Sequence, residues 1–121
     1  QYRHAAARVL YEIPAGLAER GETLEAGARR ELREETGFTA GSMSLELSAY
    51  PSPGFCTEQM HFFHAVDLQA GASQPDDDED IEVVSMTLER ARSMQANGDI
   101  ADMKTILAIL WLSERVGRPN K

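Results

Sequence analysis

The chain has 121 residues and a mass of 13.4 kDa, with 42% hydrophobic and 26% charged residues, which is typical of one soluble globular domain and excludes a second full domain. Its 20 acidic and 12 basic residues give a net charge of −8, so we expect no nucleic-acid partner and no membrane surface. The single cysteine, Cys56, excludes an internal disulfide and favours a reducing cytoplasm.

The first predicted element is a short strand near the start of the chain. The chain begins Gln1-Tyr2-Arg3, without an initiator methionine or a signal-peptide pattern, so we expect its N-terminal side to be truncated. Residues Val9–Ile13 are rich in β-branched and aromatic side chains, which favours a strand, and Pro14-Ala15-Gly16 should end it.

A helix is predicted after the following loop. Thr23 can cap its N-terminus, and Gly37 is placed to end it in the left-handed conformation. Apolar residues recur every four positions between these caps, at Leu24, Ala28 and Leu32.

Two antiparallel strands are predicted next, over residues 45–50 and 60–68, separated by a rigid Pro-Ser-Pro-Gly turn. Residues 69–80 are a loop by composition, and residues 81–86 favour another strand. A helix is expected over Leu88–Ala96. A final helix should follow, with an apolar face that forms core or a dimer contact, at Ile100, Met103, Leu107 and Leu110. This mixture of elements indicates an α+β fold or a three-layer sandwich.

Three carboxylates should share one side of the first helix, because residues three and four apart lie on the same face. They belong to Glu31, Glu34 and Glu35. One interpretation is a solvated acidic face on which Arg30 pairs with Glu34. The other is a rigid frame for Mg²⁺ or Mn²⁺, which prefer clustered oxygen ligands.

The wider spacing resembles the Nudix box at every fixed position. Gly16 is followed after five residues by Glu22, and after seven more by the run from Arg30 to Phe38. The resemblance implies a Nudix-type α/β/α sandwich with a mixed sheet, formed by residues 1–121 as a single domain, and divalent-cation-dependent cleavage of a diphosphate. It also implies a metal-ligand set that comprises the Ala15 carbonyl, Glu31, Glu34 and Glu35, with Glu34 and the orienting Arg30 in the catalytic group.

Further stretches resemble the ADP-ribose pyrophosphatase branch of that family. They cover residues 1–3 with 12–16, residues 52–58 with Pro53 sixteen positions after Gly37, and residues 79–83. The resemblance implies that Arg3 contacts the substrate phosphates and Glu58 the terminal ribose or the metals, and Gly16 joins them in the substrate-binding set. The alternatives are a surface arginine, a solvent-exposed glutamate and an ordinary Pro-Gly turn.

The acidic run at residues 76–80 supplies a candidate general base. Glu79 matches a carboxylate that binds metal or activates water in the resembling branch, and Asp77 is the second candidate. A solvated loop is the alternative interpretation.

The resulting prediction is Mg²⁺-dependent hydrolysis of ADP-ribose, or of a related nucleoside diphosphate sugar, to AMP and ribose 5-phosphate by a cytoplasmic homodimer. One alternative is a hydrolase of another nucleotide sugar such as GDP-mannose. The other is a non-catalytic module that binds ADP-ribose, against which three mutually repelling carboxylates argue, since binding alone gives no reason to keep them together.

Overall fold

The structure, a computed structural model, describes residues 1–72 and 80–117 and divides the chain into two compact units. The central unit is Pro14–Asp77, and the terminal unit combines Gln1–Ile13 with Asp78–Lys121. The candidate bases Glu79 and Asp77 lie outside the described residues.

Helix α1 of the central unit, Leu24–Thr36, has the two caps that the sequence predicts. The Thr23 hydroxyl accepts a hydrogen bond from the Ala26 N–H at 3.1 Å. At the other end Gly37 has a φ of 77°, which side-chain-bearing residues adopt only with strain, and its N–H donates to the Arg33 carbonyl at 2.8 Å. The predicted helix is therefore confirmed together with its boundaries.

Strands β3, Thr39–Ala49, and β4, Met60–Gln69, form an antiparallel pair in the central unit that contacts α1. Thr39 lies opposite Gln69 and Ala49 opposite Met60, with one irregularity between Leu45 and Leu47. β3 begins six residues before its predicted start and ends one residue before its predicted end. Its first residues have weak strand propensity, and pairing with β4 overrides it.

The terminal unit begins with a small antiparallel ladder between β1, Tyr2–Arg3, and β2, Arg8–Val9. The predicted strand over Val9–Ile13 is wrong beyond Val9. The Ile13 N–H donates to the Thr105 hydroxyl at 2.9 Å instead of to a neighbouring strand, so this backbone is held by a side chain.

Helices α2, Leu88–Ala96, and α3, Met103–Gly117, form the core of the terminal unit around Met94, Ile100 and Ile109. The predicted bounds of α2 are confirmed. The predicted apolar face of α3 is wrong as a core face, because Met103 is 59% exposed and Leu110 52%. Ile100 precedes the helix and is therefore out of its period; the buried face follows Thr105 and Ile109, four residues apart.

Residues 81–86 form no strand, which corrects another prediction. Val83 and Val84 are about half exposed, at 44% and 51%, and no ladder pairs them within residues 1–72 and 80–117. A strand needs a hydrogen-bonded neighbour as well as suitable composition. Both ladders in the described chain are antiparallel, so the parallel pairing of a mixed sheet is not among them, whereas the α+β class is confirmed.

Among the helices described, none combines the length and the apolar character that crossing a membrane requires.

Candidate active site

Helix α1 carries the three predicted carboxylates of the central unit on its last two turns. Glu31, Glu34 and Glu35 are three and four residues apart, which places their side chains on neighbouring positions of one helix face. They are partly sheltered, since the Glu31 side chain is 18% exposed and that of Glu34 30%. The helix therefore presents concentrated negative charge in a partly desolvated place.

The guanidinium of Arg30 lies among these carboxylates and holds several of them. Its Nε and Nη2 donate to the two oxygens of Glu22 at 3.0 and 3.2 Å. Its Nη1 donates to Glu31 at 2.8 Å and to Glu34 at 3.0 Å, and Nη2 also donates to the Leu17 carbonyl at 2.9 Å. With Glu19 at 3.8 Å, these side chains form what we call the Arg30 cluster: Glu19, Glu22, Arg30, Glu31 and Glu34.

Hydrogen bonds within the Arg30 cluster shift the pKa values of Glu22 and Arg30. The hydrogen bond from Arg30, and then the one from the Glu19 N–H, hold the pKa of Glu22 below its ordinary value. The pKa of Arg30 is raised by its hydrogen bonds to Glu22, Glu31 and Glu34, in that order of importance among the contacts that raise it. One cation among four carboxylates leaves a marked excess of negative charge.

The loop before α1 brings backbone against two of the glutamates. The Ala15 N–H donates to Glu35 Oε2 at 3.1 Å. Gly16 lies directly against the Glu31 carboxyl group, and a Cβ at this position would overlap it. The φ of Gly16 is not positive, so the glycine supplies space here and not an unusual backbone conformation.

The carboxylates of Glu31, Glu34 and Glu35 suit a hard divalent cation, because such cations prefer oxygen ligands. Gly16 leaves room for a carboxylate against the backbone. Within the described residues, however, no three His, Cys, Asp or Glu side chains already converge as a metal site. Glu31 and Glu34 face Arg30, and Glu35 accepts from Ala15. A cation would have to take over part of these hydrogen bonds.

The remaining predicted site residues make other contacts. Glu58 is exposed between the Ser52 turn and β4, and its backbone N–H donates to Cys56 Sγ at 3.4 Å. Arg3 belongs to β1 of the terminal unit, where its Nε and Nη2 donate to the two oxygens of Glu12 at 2.7 and 3.0 Å. The structure therefore brings together the helix glutamates, Arg30 and the Ala15-Gly16 loop in the central unit. Arg3 is described within the terminal unit, paired with Glu12.

Sequence reasoning missed the group around Glu12, which we call the Glu12 cluster: Arg3, Glu12, Asp102 and Lys104. Hydrogen bonds from Arg3 and then Lys104 lower the pKa of Glu12 to about 2. The Asp102 side chain accepts the Thr105 N–H at 3.0 Å, an N-cap pattern that the sequence could have revealed. Nothing in the spacing reveals that Lys104 pairs with Glu12, 92 residues earlier.

The chain is similar to several known proteins. A family model described as "NUDIX domain" matches residues 1–108. An ADP-ribose pyrophosphatase of Bacillus subtilis (strain 168) is 41% identical over 114 residues, covering 93% of this chain and 62% of that protein. A GDP-mannose pyrophosphatase of Citrobacter koseri is 40% identical over 106 residues, covering 85% of this chain and 55% of that protein.

A solved structure titled "Crystal structure of ADP compounds hydrolase" superposes with a TM-score of 0.86 at 22% identity. The match covers 96% of this chain and 63% of that one. At this identity the similarity shows the fold alone. The chain thus spans about three fifths of the length of the proteins it matches.

Proposed function

The chain belongs to the NUDIX domain family, and on that premise we propose that it hydrolyses the diphosphate bond of ADP-ribose or a related nucleoside diphosphate sugar. The observation that carries the proposal is the arrangement at α1. The Glu31 carboxyl group lies against Gly16 while Glu35 accepts from the Ala15 N–H, so two carboxylates meet the backbone of the Ala15-Gly16 loop. Such an oxygen-rich, negatively charged place suits the cations that accompany a diphosphate.

The proposed cofactor is Mg²⁺ or Mn²⁺, held by the Ala15 carbonyl and the carboxylates of Glu31, Glu34 and Glu35, with Glu79 as a further ligand. When bound, the cation offsets the charge of the diphosphate and makes water a better nucleophile near neutral pH. A chain with a net charge of −8 needs this help to hold an anionic substrate.

The chain's own residues have separate tasks in this proposal. Arg30 keeps the carboxylates of Glu31 and Glu34 oriented through the hydrogen bonds described above. Arg3 binds the diphosphate, and Glu58 contacts the terminal ribose. Water attacks one phosphorus, the bridging P–O bond breaks, and ADP-ribose yields AMP and ribose 5-phosphate, while Glu79 or Asp77 accepts the proton of the water.

ADP-ribose is the first candidate substrate because the relative named ADP-ribose pyrophosphatase matches 93% of the chain at 41% identity. GDP-mannose is the second, since relatives named for that activity are 38–40% identical. The deciding experiment incubates the full chain with a panel of nucleoside diphosphate sugars, with Mg²⁺, with Mn²⁺ and with EDTA, and separates the products by chromatography. We expect AMP and ribose 5-phosphate from ADP-ribose only when a divalent cation is present.

Two results of that panel would redirect the proposal. Faster cleavage of GDP-mannose would transfer the assignment to the second substrate. Binding of ADP-ribose without cleavage under every cation would indicate a recognition module instead of an enzyme.

The base is tested by Glu79→Gln and Asp77→Asn, each a nearly isosteric removal of charge. A positioned general base contributes about 10²–10⁴-fold, so Glu79→Gln should lower kcat by that range with little change in substrate affinity. If Asp77→Asn is the damaging variant, the roles are exchanged. If neither has an effect, neither acidic side chain is the base.

We further propose that the protein acts as a homodimer in the cytoplasm, with residues 1–121 forming one catalytic domain. The single Cys56 is compatible with a reducing compartment. Sedimentation of the full chain at several concentrations measures its oligomeric state, and a monomer at all of them would contradict the dimer.

A further inference from the structure

The guanidinium of Arg3 is held in a two-point contact by Glu12. Arg3 Nε lies 2.7 Å from one carboxylate oxygen and Nη2 lies 3.0 Å from the other, which fixes both the position and the plane of the guanidinium. The two side chains differ greatly in exposure, at 48% for Arg3 and 11% for Glu12. The sheltered carboxylate therefore acts as the anchor and the exposed guanidinium as the group that it presents.

Glu12 is itself held from a second direction by Lys104 in the first turn of α3. The Lys104 ammonium donates to Glu12 Oε1 at 2.5 Å, the same oxygen that accepts from Arg3 Nη2, and to Asp102 Oδ2 at 3.0 Å. Lys104 is only 12% exposed. An ordinary surface lysine is mobile and solvated, whereas this one bridges two sheltered carboxylates.

The backbone beside Glu12 is anchored to the same turn of α3. The Ile13 N–H donates to the hydroxyl of Thr105, which is only 5% exposed and donates in turn to Asp102 Oδ2 at 2.6 Å. Glu12 is thus fixed through its side chain and through the neighbouring peptide. With its pKa at about 2, it is ionised throughout the neutral range.

We propose that Lys104 is a positioning residue that acts through Glu12 on Arg3, holding the guanidinium of Arg3 ready for the diphosphate of the substrate. The inference rests on the proposed function, in which Arg3 contacts that diphosphate. An exposed arginine loses side-chain entropy when it binds an anion, and a guanidinium that is already ordered loses less. The expected contribution of Lys104 is therefore to affinity and not to the chemical step.

The test is a double-mutant cycle in the full chain, using Lys104→Met, Arg3→Ala and the double variant. The readouts are kcat and KM for ADP-ribose, and the dissociation constant of the uncleavable α,β-methylene analogue measured by calorimetry. We expect Lys104→Met to weaken binding by about three- to tenfold, the range for ordering one long side chain, with kcat changed by less than about twofold. In the Arg3→Ala background, Lys104→Met should have no further effect.

Three control variants separate positioning from general stability and from charge. Lys104→Arg retains a cation opposite Glu12 and should restore most of the affinity. Arg90→Met removes one positive charge from an exposed site on α2 of the same unit and should leave binding unchanged. Glu12→Gln is the second probe of the same contact; it should weaken binding at least as much as Lys104→Met and should likewise lose its effect without Arg3.

The outcomes distinguish the two proposals. If wild type is active and Lys104→Met weakens binding equally with and without Arg3, the positioning role is wrong while the proposed function stands. If Lys104→Met or Glu12→Gln tightens binding, Glu12 withholds Arg3 from the substrate, and the inference is again overturned. If wild type neither binds nor cleaves any nucleoside diphosphate sugar, the proposed function fails and the role of Arg3 at a diphosphate fails with it.

Discussion

The Arg30 cluster of the central unit and the Glu12 cluster of the terminal unit differ in their balance of charges. In the first, one guanidinium is shared by the carboxylates of Glu22, Glu31, Glu34 and, at longer range, Glu19. In the second, Arg3 and Lys104 balance the charges of Glu12 and Asp102. The difference shows which cluster has its charges compensated within the protein.

A balanced cluster satisfies its own charges without an added ion, and removing one partner leaves a sheltered charge uncompensated. The Arg30 cluster has carboxylates in excess, and Glu35 adds another negative charge beside it. Like charges on adjacent helix positions repel, so their presence together is explained by a positively charged partner. We therefore expect substitutions in the Arg30 cluster to affect catalysis and those in the Glu12 cluster to affect stability and substrate affinity.

The largest expected effect is the loss of activity in Glu35→Gln. Metal ligation contributes several kcal/mol to transition-state stabilisation, so kcat/KM should fall by at least about 100-fold. The fold should remain, because glutamine still accepts the Ala15 N–H and carboxylate repulsion is relieved. Steady-state kinetics and thermal unfolding measure both. Glu25→Gln, which removes the same charge from the Arg29 pair on α1, is the matched control and should retain activity; near-wild-type turnover of Glu35→Gln would refute the metal assignment.

Next in size is the effect of Gly16→Ala, which tests whether the Arg30 cluster needs space against the backbone. The added Cβ would overlap the Glu31 carboxyl group and force it to move. Glu31 is a proposed metal ligand, and shifting its carboxylate without removing it should cost about as much as losing an outer contact of a ligand, about 10–100-fold in metal affinity or activity, which titration with Mn²⁺ and kinetics can follow. Gly117→Ala, where no atom lies within 4 Å of the new Cβ, controls for the added methyl group. Unchanged metal affinity in Gly16→Ala would show that the position of Glu31 is unimportant.

A smaller effect, on stability alone, is expected from Thr105→Val in the terminal unit. Valine keeps the shape of this buried side chain but leaves the Ile13 N–H without its acceptor. An unsatisfied buried donor costs about 1–3 kcal/mol in the free energy of unfolding, which denaturant titration measures. Thr105→Ser keeps the hydroxyl and should lose less. A loss in Thr105→Ser with no loss in Thr105→Val would mean that packing of the methyl group, and not the hydrogen bond, is responsible.

The two clusters also differ in how far the sequence predicts them. Within the Arg30 cluster, the spacing of Arg30 and Glu34 indicates their contact directly, because residues four apart share a helix face. Glu22 lies before the helix, so its contact with Arg30 depends on how the loop folds. The Lys104–Glu12 contact spans 92 residues and depends on how α3 meets the N-terminal segment, which no local pattern encodes.

The same distinction explains the outcome for the secondary structure. Helices α1 and α2 are determined by local caps such as Thr23 and Thr87, and their predicted bounds are correct. Strands depend on a partner: β3 extends beyond its propensity because β4 pairs with it. Residues 81–86 have strand composition, but no ladder pairs them in the part of the chain that the structure describes. Local signals were sufficient for α1 and α2, and tertiary pairing decided the strands.

The smallest expected effect is the pH dependence of the contribution that Glu12 makes to the free energy of unfolding. Its folded-state pKa of about 2 lies below the ordinary value of 4.5, so the carboxylate binds protons more readily in the unfolded chain. Its contribution to stability is therefore complete above pH 4.5 and is lost as the pH falls from 4.5 towards 2. Glu12→Gln should destabilise the protein at pH 7, and the difference from wild type should shrink across that acidic window. Thermal unfolding of both proteins between pH 7 and pH 2 measures this convergence; a constant difference would show that Glu12 stabilises through packing and not through its charge.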